Sequence, residues 1–100
     1  MEVRFKTRKL KKHYEKSTEA EKTYGRELAR KYIQRVNIIK QVRDINELCD
    51  LPGLRCHPLK GKRRGQWAVK LTGFYRLIFT LQGKIPVIAQ IEEVSKHYDE

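Results

Sequence analysis

Hydrophobic positions recur at helical spacing in the first half of the chain and at alternate positions in the second. Val3 and Phe5 flank Arg4, as in a short opening strand with one apolar face. Leu10 and Tyr14 stand four apart within the basic run Arg8 to Lys16, which predicts a short amphipathic helix. Ser17 and Thr18 occupy a position suited to an N-cap. Beyond them Ala20, Tyr24, Leu28, Tyr32, Val36 and Ile39 recur at spacings of three and four, which predicts one long helix with a single buried stripe. Tyr24 and Tyr32 on that stripe read as core aromatics. Asp44 with Glu47 three residues on is a further helix-start signal, opening a brief turn that ends before Pro52-Gly53.

Past residue 66 the period is two. Trp67, Val69 and Leu71 share a face, Thr72-Gly73 supplies a turn, and Tyr75, Leu77, Phe79 and Leu81 share a face of the next strand. Gln82 to Pro86 makes a second reversal, and Val87, Ala89 and Ile91 continue as a third strand. Helices first and strands second predict an α+β domain in which an N-terminal strand and helices pack on one face of a mostly antiparallel C-terminal sheet. A chain of 100 residues suits a single domain over positions 1–100.

Charge changes this picture from a generic fold to a binding surface. The formal net charge is +11, which favours polyanionic or acidic partners. From Leu51 to Ile91 there is no Asp or Glu, while Arg55, Lys60, Lys62, Arg63, Arg64, Lys70, Arg76 and Lys84 fall inside that stretch. In the N-terminal half the basic residues are interleaved with Glu15, Glu19, Glu21 and Glu27, the pattern of a solvated surface. No apolar run approaches the length of a membrane span, and the amino end does not read as a secretory signal, so a cytoplasmic protein without a membrane partner is expected. Cys49 and Cys56 match neither metal-binding nor redox C-x-x-C spacing and read as small packing residues, with a disulfide unexpected in a reducing compartment.

Period two places Lys70 and Arg76 on the face of the sheet opposite the helices, where His57, Lys60 and the Lys62-Arg63-Arg64 cluster can join them. An arginine between large apolar neighbours needs an acid or an anionic ligand, and Glu92 and Glu93 are the nearest acids in sequence. RNA is cut without metal when a base activates the 2′-hydroxyl, cations stabilise charge building on phosphorus, and an acid protonates the leaving 5′-oxygen. His57, Lys60, Arg76, Glu93, His97 and Tyr98 supply these residue types as catalytic candidates. Arg55, Lys62, Arg63, Arg64 and Lys70 are candidates for RNA binding. Metal-ligand spacing and a Gly-rich nucleotide loop are absent from the sequence, so no metal or cofactor is expected.

The run "LPGLRCHPLKGKRRGQWAVKLTGFYRLIF", Leu51 to Phe79, resembles the HigB-type toxins of the RelE/ParE superfamily, in which a Pro-Gly, a His-Pro-Leu-Lys-Gly loop, a Gly-x-Trp and an Arg-bearing strand follow in this order. The resemblance implies a RelE-like fold and a toxin that cleaves mRNA in the decoding site of the ribosome and halts translation. It also implies neutralisation by a co-produced helix-turn-helix antitoxin of the HigA type. It places His57 and Lys60 in the active-site loop and Arg76 on the strand as a phosphate binder. The tail departs from the pattern, since several relatives end in an acidic residue followed by Tyr and His where this chain has His97-Tyr98. Two alternatives remain: a ParE-like toxin of the same fold that binds DNA gyrase, and a basic RNA-binding module without activity, for which net charge alone would suffice.

Overall fold

In the computed structural model, which describes residues 1–96, β1 (Glu2–Phe5) is followed by α1 (Arg8–Glu15), α2 (Ser17–Tyr24), α3 (Arg26–Gln41) and α4 (Ile45–Asp50). Then come β2 (His57–Pro58), a 3-10 turn over Gly61–Arg63, β3 (Gln66–Lys70), β4 (Arg76–Gln82) and β5 (Ile88–Ser95). The sheet order is β1-β5-β4-β3-β2, with β1 parallel to β5 and every other pair antiparallel. The α+β arrangement expected from the change of period is therefore present.

The long helix divides in two. Gly25 has φ 82°, outside the helical region, and ends α2 while its carbonyl accepts from Ala29 N to start α3. The stripe nevertheless works as one surface: Ala20, Leu28, Tyr32, Val36 and Ile39 are buried and Tyr24 half-buried. Ser17 lies inside α2, and the position before it, Lys16, makes no side-chain cap; the side-chain cap in this region is Thr7, whose hydroxyl accepts from Leu10 N at the start of α1. Asp44 caps α4 as its spacing to Glu47 predicts, while Glu47 reaches back one residue beyond the cap. Asp44 accepts from Glu47 N at 2.9 Å and Glu47 accepts from Arg43 N at 2.7 Å.

The helical stripe packs on the sheet face bearing Val69, Leu77, Phe79, Ala89 and Ile91, with Leu48 and Leu54 closing the core. Arg35 is buried on the same side of α3. Its Nε donates to the Lys70 carbonyl at 2.9 Å and NH1 to Gln34 Oε1 at 2.9 Å, which ties α3 to the end of β3, and desolvation lowers its pKa. Tyr32 is fully buried and its hydroxyl donates to the Leu10 carbonyl at 2.7 Å, joining α3 to α1. Burial also holds His13 below the ordinary histidine range; Lys9 and Lys12 act in the same direction and Glu19 opposes them. Its ring nitrogens lie 3.2 Å from Tyr24 Oη and 3.2 Å from Thr23 Oγ1.

Replacing Tyr32 by Phe removes the bond to the Leu10 carbonyl, which stays in the α1 helix, and is expected to destabilise the fold by about 0.5–1.5 kcal/mol, readable as a lower urea midpoint at unchanged slope. His13 generates a pH dependence of definite sign. Its pKa is depressed in the folded state, so the unfolded chain takes up its proton first. The stability it contributes is complete above the unfolded value of about 6.5 and is lost progressively as pH falls from there through the lower folded value. Thermal melts about one pH unit either side of that value should show a larger acid loss for the native chain than for His13→Gln; equal losses would remove His13 as the cause.

Candidate nucleic-acid interface

The site is built by strand register. His57 pairs with Ala68, Ala68 with Ile78, and Ile78 with Glu93, so these four residues form one row across the sheet. The adjacent row toward the β3–β4 turn is Lys70, Arg76 and Ser95. Both rows belong to the face turned away from the helices, because Val69 and Leu77 between them face the main core. Strand spacing and rise place the Cα atoms of Arg76 and Glu93 about 8 Å apart, and those of Arg76 and His57 about 12 Å apart. Lys70 and Arg76 are side by side, as period two requires.

Glu93 reaches this face through a β-bulge. Ile78 pairs with Glu93 but Phe79 pairs with Ile91, leaving Glu92 as an extra residue in β5. Strict continuation of the Ala89, Ile91 alternation would have turned Glu93 into the core; the extra residue turns Val94 inward instead, opposite Leu77. Glu92 is held by Thr80 Oγ1 at 3.0 Å, Gln90 Nε2 at 2.8 Å and Lys6 Nζ at 3.4 Å. Against the penalty of burial, these hydrogen bonds and the Lys6 charge leave its pKa below the ordinary carboxylate range.

The basic loop folds back over the sheet. Leu59 is buried on Ala68 and Ile78, and its N–H donates to the Gln66 carbonyl at 2.8 Å. Arg63 NH1 donates to Gln66 Oε1 at 2.9 Å and pairs with Glu93 at 3.3 Å. The expectation of an open face with every cation converging is thus corrected in two respects. Leu59 fills its middle, and Arg63 is offset by Glu93. Neither Glu92 nor Glu93 pairs with Arg76, whose NH1 donates to the Gly73 and Tyr75 carbonyls at 3.0 Å each. Among the described residues Arg76 has no carboxylate partner, and Arg55, Lys60, Lys62 and Arg64 are exposed without an ion pair.

His57 is oriented by the backbone. Arg55 adopts φ 51°, a left-handed conformation rare for a side-chain-bearing residue, and its carbonyl lies 2.6 Å from His57 Nδ1. A carbonyl only accepts, so Nδ1 carries a proton, and in the neutral ring the lone pair is on Nε2. His97 and Tyr98 lie outside the described residues. Trp67, on the strand face shared with Val69, is half-buried against the core. Sequence reasoning missed Leu59, whose place in the His-Pro-Leu-Lys loop hid a buried anchor, and Arg35, whose i+7 relation to Leu28 was a usable signal. A separate hollow of ≈ 500 Å³ on α3 is lined by Arg26, Glu27, Arg30, Lys31 and Gln34 and shares none of these residues.

The model of the HigB family, RelE-like toxins of type II toxin-antitoxin systems, matches residues 3–92. The chain belongs to this family. Among solved structures it is similar to a YoeB/ParE toxin from Agrobacterium tumefaciens at 17% identity and TM-score 0.62, covering 98% of this chain and 100% of that one. A YoeB-YefM complex from Staphylococcus aureus is matched at 15% identity and TM-score 0.62, covering 98% of each chain. YafQ from E. coli strain BL21(DE3) is matched at 13% identity and TM-score 0.60, covering 95% of this chain and 91% of that one. At these identities the likeness is one of fold. No curated protein is similar enough in sequence to serve as a relative.

Leu59→Ser removes the apolar anchor of the loop in this HigB-family toxin. Limited trypsin digestion should then cut after Lys60, Lys62 or Arg64 about tenfold faster while the remaining helices and sheet persist, because local opening of the loop becomes easier by about 1.4 kcal/mol or more.

Proposed function

We propose that this toxin is a ribosome-dependent mRNA endonuclease whose residues 1–100 act as one domain in the cytoplasm. The observation that carries this reading is the strip formed by His57, Lys70 and Arg76, flanked by a loop presenting Lys60, Lys62 and Arg64. Among the described residues Lys60, Lys62, Arg64 and Arg76 have no carboxylate partner, and cations so gathered suit a ligand that brings its own negative charge. A phosphodiester fits, with the Arg76 fork on two phosphate oxygens and Lys60 as a point charge. Membrane insertion has no support: among the described residues no helix is long and apolar enough to cross a bilayer.

In this mechanism the 2′-hydroxyl loses its proton to a base, its oxygen attacks phosphorus, and an acid protonates the departing 5′-oxygen. His57, oriented through Nδ1 by the Arg55 carbonyl, takes one proton-transfer role at Nε2. Arg76 and Lys60 stabilise the charge that builds on the phosphoryl oxygens. Glu93 is engaged with Arg63, so we assign it chiefly to holding the loop, with proton transfer as its secondary role. His97 and Tyr98 are the candidates for the second proton transfer. Arg55, Lys62, Arg64 and Lys70 extend the contact along the message, joined by Arg63 when RNA competes with Glu93. The proposed partners are the ribosomal decoding site and mRNA, and a helix-turn-helix antitoxin of the HigA type; membership in a toxin-antitoxin family supports the antitoxin.

Brief induction in a bacterial host followed by mapping of new mRNA 5′ ends tests this reading. Cuts at a fixed position within translated codons, abolished when initiation is blocked and reduced at least about 100-fold in Arg76→Ala, are the expected result. Growth arrest with intact message and recovery of gyrase would replace it by the ParE-like reading. Binding to RNA without new ends or arrest would leave an inactive module.

A further inference from the structure

The sequence contains two cysteines, Cys49 and Cys56, and their Sγ atoms lie 2.7 Å apart. This is inside the van der Waals contact of two sulfur atoms and within about 0.7 Å of a disulfide bond of about 2.05 Å. Both are free thiols, half-buried. They bracket the reversal from Asp50 to Arg55, which is fixed without them: Leu48 and Leu54 are buried in the core, and the Leu54 carbonyl accepts from Lys70 N at 2.7 Å. The fold therefore supplies the approach that a disulfide requires. Packing alone explains two small half-buried side chains, but it does not require their sulfurs to meet.

We propose that Cys49 and Cys56 form a reversible dithiol–disulfide site, closed by hydroperoxide, that braces the turn carrying Arg55 and His57. The Cys49 thiolate attacks a peroxide oxygen, breaking the O–O bond and giving Cys49 sulfenic acid; a proton completes the released water. Cys56 sulfur then attacks the sulfenic sulfur, its proton leaves with the departing hydroxyl as a second water, and the S–S bond forms. Two thiols are oxidised and one hydrogen peroxide is reduced to two waters. Burial, and then the adjacent Cys49, push the Cys56 thiol up, which disfavours Cys56 as the thiolate that meets peroxide first. Cys56 directly precedes His57, and the left-handed Arg55 precedes Cys56. The bond thus restrains the segment whose carbonyl orients the His57 ring, without asking it to move.

The reduced full chain treated with hydrogen peroxide tests the site. Intact-mass measurement should show the loss of two hydrogen atoms from the monomer, reversed by dithiothreitol. After denaturation, trypsin cleavage at Arg55 should leave peptides still joined through sulfur. Closing so short a loop should raise the thermal midpoint by about 10 °C, an increase absent from both Cys49→Ser and Cys49→Ala. An unchanged mass, gain of oxygen at the cysteines without hydrogen loss, or cross-linking only between chains would overturn the proposal. These readouts do not depend on RNA cleavage.

Discussion

Everything on the working face depends on burial of the other one. Leu28, Tyr32, Val36 and Ile39 of the third helix cover Val69, Leu77, Phe79, Ala89 and Ile91, removing one side of the sheet from water. Each Val, Leu, Ile or Phe among them contributes about 1.5–3 kcal/mol when fully buried, and a one-residue slip would turn the whole set outward. That penalty fixes the register. A fixed register in turn sets His57, Ala68, Ile78 and Glu93 in one row and Lys70 beside Arg76.

Within this frame the outer face combines order with a concentration of positive charge. Leu59 and the Arg63–Glu93 pair hold the loop down; at 38% and 47% side-chain exposure, that pair is worth little in stability and more in placement. Among the described residues the cations Lys60, Lys62, Arg64 and Arg76 beside it have no carboxylate partner. Such a surface favours a polyanion through counterion release and field strength more than through shape. Arg35 links the two faces, since its bond to the Lys70 carbonyl anchors the end of β3 from within the core.

The backbone contributes two irregularities where side chains must be aimed. The bulge at Glu92 exchanges the faces of β5 for its last residues, and the left-handed Arg55 turns a carbonyl toward His57. Both depart from the regular pattern at the candidate site, where local rules give way to the arrangement of functional groups.

Much of this was legible in the chain because it rests on short-range chemistry. Apolar spacing identified the helical stripe and the three main strands, Asp44 and Glu47 announced their cap, and the acid-free stretch marked the basic face. The division at Gly25 was missed because the stripe keeps its phase across it, although glycine's conformational freedom was a usable sign. Tertiary structure alone decided that Glu93 faces the loop, that Leu59 is an anchor, that Arg63 and not Arg76 takes the acid, and that the two sulfurs meet. Periodicity reports which way a side chain points within a regular element. It carries no information about a bulge, a loop folding back, or contacts between segments whose separation is settled only when the core closes.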